Sequence, residues 1–165
     1  MSHFFIIGAQ RCGTSFIANC LDSHPQIEIS KPLKPEPKFF LEKSKWNKGL
    51  DYYKDNLFTH SDSVKVYGEK STSYIENQTS LLRIKKFFPQ AKVLIILRNP
   101  IYRALSNYKF SVDSGLEKLP IEEALTKDPK DRKYSKVSVN PFDYISRGHY
   151  MNYIDEVTKI FHSNN

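Results

Sequence analysis

The sequence predicts an α/β fold in three layers, with a central parallel sheet flanked by helices. Two observations carry this. Short apolar runs alternate with helical patterns along the chain, as when crossover helices feed successive strands. The first run, "FFII", opens into "GAQRCGTS", where Gly8 and Gly13 stand at the G-x-x-x-x-G spacing of a P-loop. A strand, a glycine-framed turn and a helix are the opening unit of a P-loop-type sheet. The 165 residues, 39% of them hydrophobic, suffice for a single domain over 1–165 with a real core.

Each element has its own local reason. Phe4–Ile7 reads as a buried strand, and Thr14–Asp22 as a helix with Phe16, Ile17, Cys20 and Leu21 on one side. Gln26–Ile29 reads as a short strand. In "KPLKPEPKFF" the prolines at 32, 35 and 37 exclude regular helix, so this stretch is a shaped loop. Gly49–Phe58 is a helix, Lys65–Tyr67 a strand ending at Gly68, and Thr79–Phe88 a helix stopped by Pro89. Lys92–Leu97, "KVLIIL", is the clearest buried strand. Asn99 is a good N-cap and Pro100 a good first residue for a helix reaching about Val112. On it Ile101, Leu105, Tyr108 and Val112 recur at i, i+4, i+7 and i+11, predicting the core stripe. At about 100° per residue, Ser106 and Arg103 lie roughly 140° and 200° from Ile101 and point away from that stripe. The polar stretch Asp113–Asn140 has weak signals, with a short helix at Pro120–Thr126. An amphipathic helix near Tyr150–Phe161 follows.

Composition narrows the function classes. No run approaches the ~18 apolar residues of a membrane span, and the N-terminus lacks the basic start of a secretory signal. The expectation is a cytoplasmic protein with no membrane span. A formal charge of +7 suits anionic ligands of any size. The zinc-finger, RNP-like and basic-heptad signatures of nucleic-acid binding are absent. Cys12 and Cys20 would lie roughly 12 Å apart at about 1.5 Å per helical residue, too far for a disulfide. Neither has metal-site spacing, so no metal is expected, and Cys12 reads as a small residue filling a tight turn.

The glycine-framed turn is an anion site for a physical reason. The first N–H groups of a helix lack partners and carry partial positive charge. Thr14 and Ser15 add hydroxyls where a nucleoside triphosphatase carries Lys and Ser/Thr, and Arg11 supplies a charge whose fork matches a phosphate. In open α/β sheets ligands bind outside the carboxyl ends of the strands. Arg98, at the end of "LIILR", would then face the same crevice as the loop.

The order of motifs is recognisable. "GAQRCGTS", "SHP", "EPKFF", "GEKSTSYI", "ILRNPIYRALSNYKF" and "RGHYMNYI", spread over about residues 4–155, resemble the PAPS-dependent sulfotransferases. The likeness is greatest to the branch holding heparan sulfate sulfotransferases and their bacterial relatives. It implies an enzyme of the EC 2.8.2 type, with 3′-phosphoadenosine 5′-phosphosulfate (PAPS) as sulfuryl donor. Arg11, Cys12, Gly13, Thr14 and Ser15 would then hold the 5′-phosphosulfate, which needs no Walker lysine, while Arg98 and Ser106 grip the 3′-phosphate. Arg11 falls where many members carry a Lys beside the leaving phosphate, and Lys70 matches an active-site lysine.

Glu36 is the candidate base. A carboxylate between two prolines sits on a stiff backbone, and Lys34 and Lys38 flank it where they can keep it ionised or attract an anionic acceptor. The resembling branch carries a glutamate at this place. His24 competes, because cytosolic small-molecule sulfotransferases use histidine, although "DSHP" at a helix end suits capping or packing. His149 and His162 have no supporting motif. Relatives continue past the helix matching Tyr150–Phe161, and the resemblance implies that adenine contacts and part of the acceptor pocket lie there. The resemblance implies an acceptor hydroxyl or amine on a small molecule or saccharide, while the sequence leaves sugar, lipid, peptide and small alcohol all open. Two rivals stand beside transfer: a module that holds PAPS or its product PAP without catalysis, and a P-loop kinase, for which "LIILRNP" offers no metal-binding acid.

Overall fold

A computed structural model of the chain describes residues 2–132 and 139–161. In chain order the elements are β1 (Ser2–Gly8), α1 (Thr14–Asp22), β2 (Ile27–Ile29), α2 (Lys43–Trp46), α3 (Gly49–Leu57), β3 (Val66–Lys70), α4 (Gln78–Phe87), β4 (Lys92–Ile95), α5 (Pro100–Asp113), α6 (Ile121–Thr126) and α7 (Met151–Phe161). The strands form one sheet in the order β2-β3-β1-β4, parallel at every pairing. Helices flank it, and the fold is the expected P-loop-type three-layer α/β architecture.

The chain divides into two compact units, Met1–Leu97 with Tyr153–Asn165, and Arg98–Asn152. In the first, side-chain alternation on β1 builds the layers. Phe4 and Ile6 join Ala18 of α1 and Ile29 of β2 in one core cluster. Phe5 and Ile7 join Tyr53 of α3, Leu81 and Ile84 of α4 and Val157 of α7 in another, which also buries Phe39 and Phe40. Period-2 alternation on a strand with both faces covered yields a continuous apolar run, which is why "FFII" signals a strand but not its faces. In the parallel register Ile6 pairs with Lys70, so the loop after β1 leaves the sheet beside the end of β3.

The first unit corrects three expectations. β3 does not end at Gly68 but runs through it to Lys70. A Cβ at Gly68 would lie 2.3 Å from the Phe4 ring and 2.6 Å from Ile29, so this glycine provides clearance within a strand rather than a stop. The strand expected as most buried is the least: β4 is an edge strand, Val93–Ile96 are half-buried and Leu97 is exposed. An apolar run reports strand character, not how many neighbours the strand has. On α1, Thr14 and Ala18 are buried, with Ile17 and Leu21 packed beside them, whereas Phe16 and Cys20 are exposed. The sheet meets the 14/17/18/21 face, one i, i+3, i+4, i+7 set among those the sequence allows.

In the second unit α5 starts as expected. The Asn99 side chain accepts from the Ile101 and Tyr102 amides at 3.0 and 3.4 Å, and Pro100 opens the helix. The predicted core stripe is overturned. Ile101, Leu105 and Val112 are exposed and Tyr108 is half-buried, whereas Arg103, Ala104, Asn107 and Ser111 are buried. The helix packs on an irregular segment that presents backbone carbonyls, and buried carbonyls require donors. Arg103 donates to Tyr144 O, and Pro141 O accepts from Asn107 Nδ2 at 2.6 Å and from Ser111 Oγ at 3.1 Å. Ala104, Ala124, Phe142 and Tyr144 complete this smaller core.

Glu117 organises the same unit. It accepts from Arg132, from the Lys118 and Leu119 amides at 2.9 Å each, and from the Tyr144 hydroxyl at 2.8 Å. Burial pushes its pKa up, but Arg132, the Leu119 amide and Tyr144 outweigh that and hold it down at about 2. A carboxyl lowered on folding stabilises the protein above its ordinary value near 4.5, and that contribution is lost as pH falls toward 2. Thermal melts should therefore show the gap between wild type and Glu117→Gln narrowing as pH drops across this window. A constant gap would count against the network.

Candidate active site

Parallel strands end on the same side of a sheet, so the loop after β1 and the segment after β3 meet at the carboxyl edge. Gly13 caps α1 with φ +82°, a left-handed conformation that a side chain would strain, and its carbonyl accepts from the Phe16 and Ile17 amides at 3.0 and 3.3 Å. Gln10 Nε2 donates to Ser73 Oγ at 3.0 Å, tying the loop to the segment beyond β3. Cys12 is buried with Sγ 3.6 Å from Gln10 O, as a turn-filling residue would be. Thr14 is buried, Ser15 half-buried and Arg11 exposed at the loop.

Three of the expected site residues meet. Lys70 Nζ donates to Ser15 Oγ at 3.2 Å and pairs with Glu36 Oε1 at 3.1 Å. The Lys70 side chain is 3% exposed and that of Glu36 17%. An ammonium this buried requires compensation, and the carboxylate supplies it. The cation on Glu36 is thus Lys70; Lys34 is exposed and lines a neighbouring cavity of about 280 Å³ with Ser15, Asn19, Leu33 and Lys70. Thr72 completes the hold on Glu36: its amide donates to Oε2 at 3.0 Å, and its hydroxyl lies 2.9 and 3.1 Å from the two carboxylate oxygens.

Thr72 escaped the sequence reading, as did a buried cluster behind it. Glu69 Oε1 accepts from Ser71 Oγ at 2.6 Å and from Tyr74 OH at 2.5 Å, while Tyr53 approaches from α3. Burial, aided by the charge of Glu36, pushes the Glu69 carboxyl up to about 7 against the opposing hydrogen bonds of Ser71, Tyr74 and Tyr53. The available signal was the hydroxyl run Ser71–Tyr74, directly after the strand-end lysine.

The remaining candidates lie elsewhere. His24 is exposed, and its Nδ1 accepts from the Gln26 amide at 3.2 Å in the turn after α1. His149 is exposed, and His162 lies outside the described residues. Arg98 and Ser106 belong to the second compact unit. There Arg98 is exposed with its carbonyl accepting from Tyr150 OH at 2.8 Å, and Ser106 is half-buried on α5. Among the described residues no helix is long and apolar enough to cross a membrane.

Comparison with known proteins follows the same lines. The family model described as the sulfotransferase domain matches residues 1–165. A Dictyostelium discoideum protein named membrane-associated sulfotransferase kil1 is 32% identical over 114 residues, 68% of this chain and 23% of its own length. The mouse bifunctional heparan sulfate N-deacetylase/N-sulfotransferase 1 is 29% identical over 165 residues, 96% of this chain and 18% of its own. The crystal structure of a sulfotransferase from Alicyclobacillus acidocaldarius superposes with a TM-score of 0.80 at 28% identity, covering 98% of this chain and 69% of that one. This chain therefore spans about a fifth of the length of these curated relatives.

Proposed function

The chain belongs to the sulfotransferase domain family, and on that footing we propose that it moves a sulfuryl group from PAPS to an acceptor hydroxyl or amine by in-line displacement. The observation that carries this is the Lys70 ammonium, which touches Ser15 of the glycine loop at 3.2 Å and Glu36 at 3.1 Å. One buried cation joins the candidate donor side to the candidate acceptor side. The residues fit an anionic 5′-phosphosulfate: a glycine-capped helix start, hydroxyls at 14 and 15, and Lys70 within reach of the loop.

PAPS supplies the sulfuryl group and a phosphate leaving group. Arg11 and Lys70 offset the negative charge gathering on that phosphate, Glu36 takes the acceptor proton at a carboxylate oxygen, and Thr72 fixes the carboxylate's orientation. Cys12, Gly13, Thr14 and Ser15 complete the loop around the phosphosulfate. Arg98 and Ser106, in the second unit, take the 3′-phosphate in this reading, and residues 1–165 are read as one sulfotransferase-like domain. No metal ion takes part in this reading, since Arg11 and Lys70 bring the positive charge. The name of the mouse relative makes a saccharide amine the first acceptor to test.

The test is incubation of the full chain with radiolabelled PAPS and either de-N-sulfated heparin or a panel of small alcohols. Label moving to any acceptor supports the proposal. PAP binding without transfer reduces it to a binding module, and absence of PAP binding overturns both. A charge-assisted hydrogen bond to phosphate contributes about 1.5–3 kcal/mol, so Arg98→Ala should weaken PAP binding about tenfold or more by calorimetry. ATP, which lacks a 3′-phosphate, should bind wild type more weakly than PAP. Equal affinities, or no effect of the substitution, would remove Arg98 from the site.

A further inference from the structure

The segment carrying Glu36 has an anchoring problem. Pro35 and Pro37 have no amide hydrogen, so few donors between residues 34 and 40 can tie it down. Two of those donors end on hydroxyls: the Lys38 amide donates to Ser71 Oγ at 2.9 Å, and the Phe40 amide to Tyr74 OH at 2.9 Å. Both hydroxyls in turn donate to a single atom, Glu69 Oε1, at 2.6 and 2.5 Å. Glu69 is fully buried on β3, next in sequence to Lys70 and on the opposite face of the sheet. Lys38 itself sits at φ +49°, a conformation that a lysine keeps only when its surroundings enforce it.

We infer that Glu69 is a positioning residue for Glu36, holding the proline-flanked segment in place through Ser71 and Tyr74. By accepting from both hydroxyls, the carboxyl aims their lone pairs at the Lys38 and Phe40 amides. Removing the acceptor frees both hydroxyls to rotate, and the amides lose their partners together. Lys70 and Thr72 then hold the Glu36 carboxylate while its backbone is loose. Glu69 touches no reacting group in this arrangement and acts only through the segment.

Burial, with the charge of Glu36, raises the Glu69 carboxyl toward neutrality, which favours the protonated form. Tyr53, buried on α3, is the third hydroxyl set against this carboxyl. Glutamine reproduces the protonated state, with an oxygen for Ser71 and Tyr74 and an N–H for Tyr53. Glu69→Gln should therefore keep the function, and the isosteric apolar Glu69→Met should lose it.

The test pairs amide hydrogen exchange with transfer kinetics on the full chain, using PAPS and de-N-sulfated heparin. In Glu69→Met, exchange at the Lys38 and Phe40 amides should rise at least tenfold relative to the β1 and α4 amides. Its kcat should fall about tenfold or more, the scale of a misplaced catalytic group, with PAP affinity unchanged. Glu69→Gln should restore both. Unchanged exchange in the Met variant, a Gln variant as impaired as the Met one, or freed amides with kcat intact would each overturn the inference. If Glu69→Met does not fold, Ser71→Ala should free Lys38 alone and Tyr74→Phe should free Phe40 alone; failure of both overturns it equally. The catalytic half rests on the sulfotransferase reading. A wild type that transfers nothing to de-N-sulfated heparin or to the small alcohols defeats that reading, and the exchange measurement then decides the positioning claim by itself.

Discussion

Replacing Glu36 by Gln is expected to lower sulfuryl transfer about 100- to 10,000-fold, the usual contribution of a general base. PAP affinity should barely change, because Glu36 belongs to the acceptor side. The substitution keeps the volume and the contact with Thr72 but removes the ability to take a proton. The amide cannot satisfy both neighbours, since Lys70 and the Thr72 amide each require an oxygen, on Oε1 and Oε2 respectively. A PAP titration therefore belongs in the experiment: unchanged affinity shows that Lys70 has kept its place. His24→Ala is the partner measurement. His24 is exposed and engaged in a local turn, so the variant should turn over normally per folded molecule. An active Glu36→Gln beside a folded, inert His24→Ala would transfer the role to the histidine.

Lys70→Met should reduce transfer about 100- to 1,000-fold, the scale found when one preorganised stabiliser of transition-state charge is removed. Unlike Glu36→Gln, it should also weaken PAP binding, because Lys70 contacts Ser15 in the loop. Stability should suffer as well. Stripping one partner from a buried ion pair costs about 3–5 kcal/mol, and the cost here should fall at or below the lower end because Glu36 retains its Thr72 bonds and some solvent contact. Arginine should not rescue the variant, since a planar fork does not fit a site shaped for a single ammonium. Combining Lys70→Met with Glu36→Gln should be far from additive, as expected for groups acting as one unit. Lys70→Met retaining near-normal transfer, or a fully additive double variant, would break the proposed link between the two sides of the site.

What the sequence determined by itself was local. The glycine spacing 8/13 after an apolar run marked the strand, loop and helix start. Asn99 followed by Pro100 marked the beginning of α5, where the cap forms with the expected amides. The prolines around Glu36 marked a non-helical loop. Each of these rests on a few consecutive residues whose backbone preferences need no distant partner. The tertiary structure decided the rest. Gly68 became clearance for Phe4 and Ile29, both brought there by strand pairing. The polar face of α5 became the buried one because its packing partner offered carbonyls rather than methyls. Glu36 gained Lys70 and Thr72 instead of its neighbouring lysines, and Glu69 became the hub of a buried cluster. The contact of Lys70 with Ser15 spans 55 positions and that of Thr72 with Glu36 spans 36. Periodicity and capping are properties of neighbouring residues, whereas charge pairing and burial depend on which distant segments the sheet brings to the same edge.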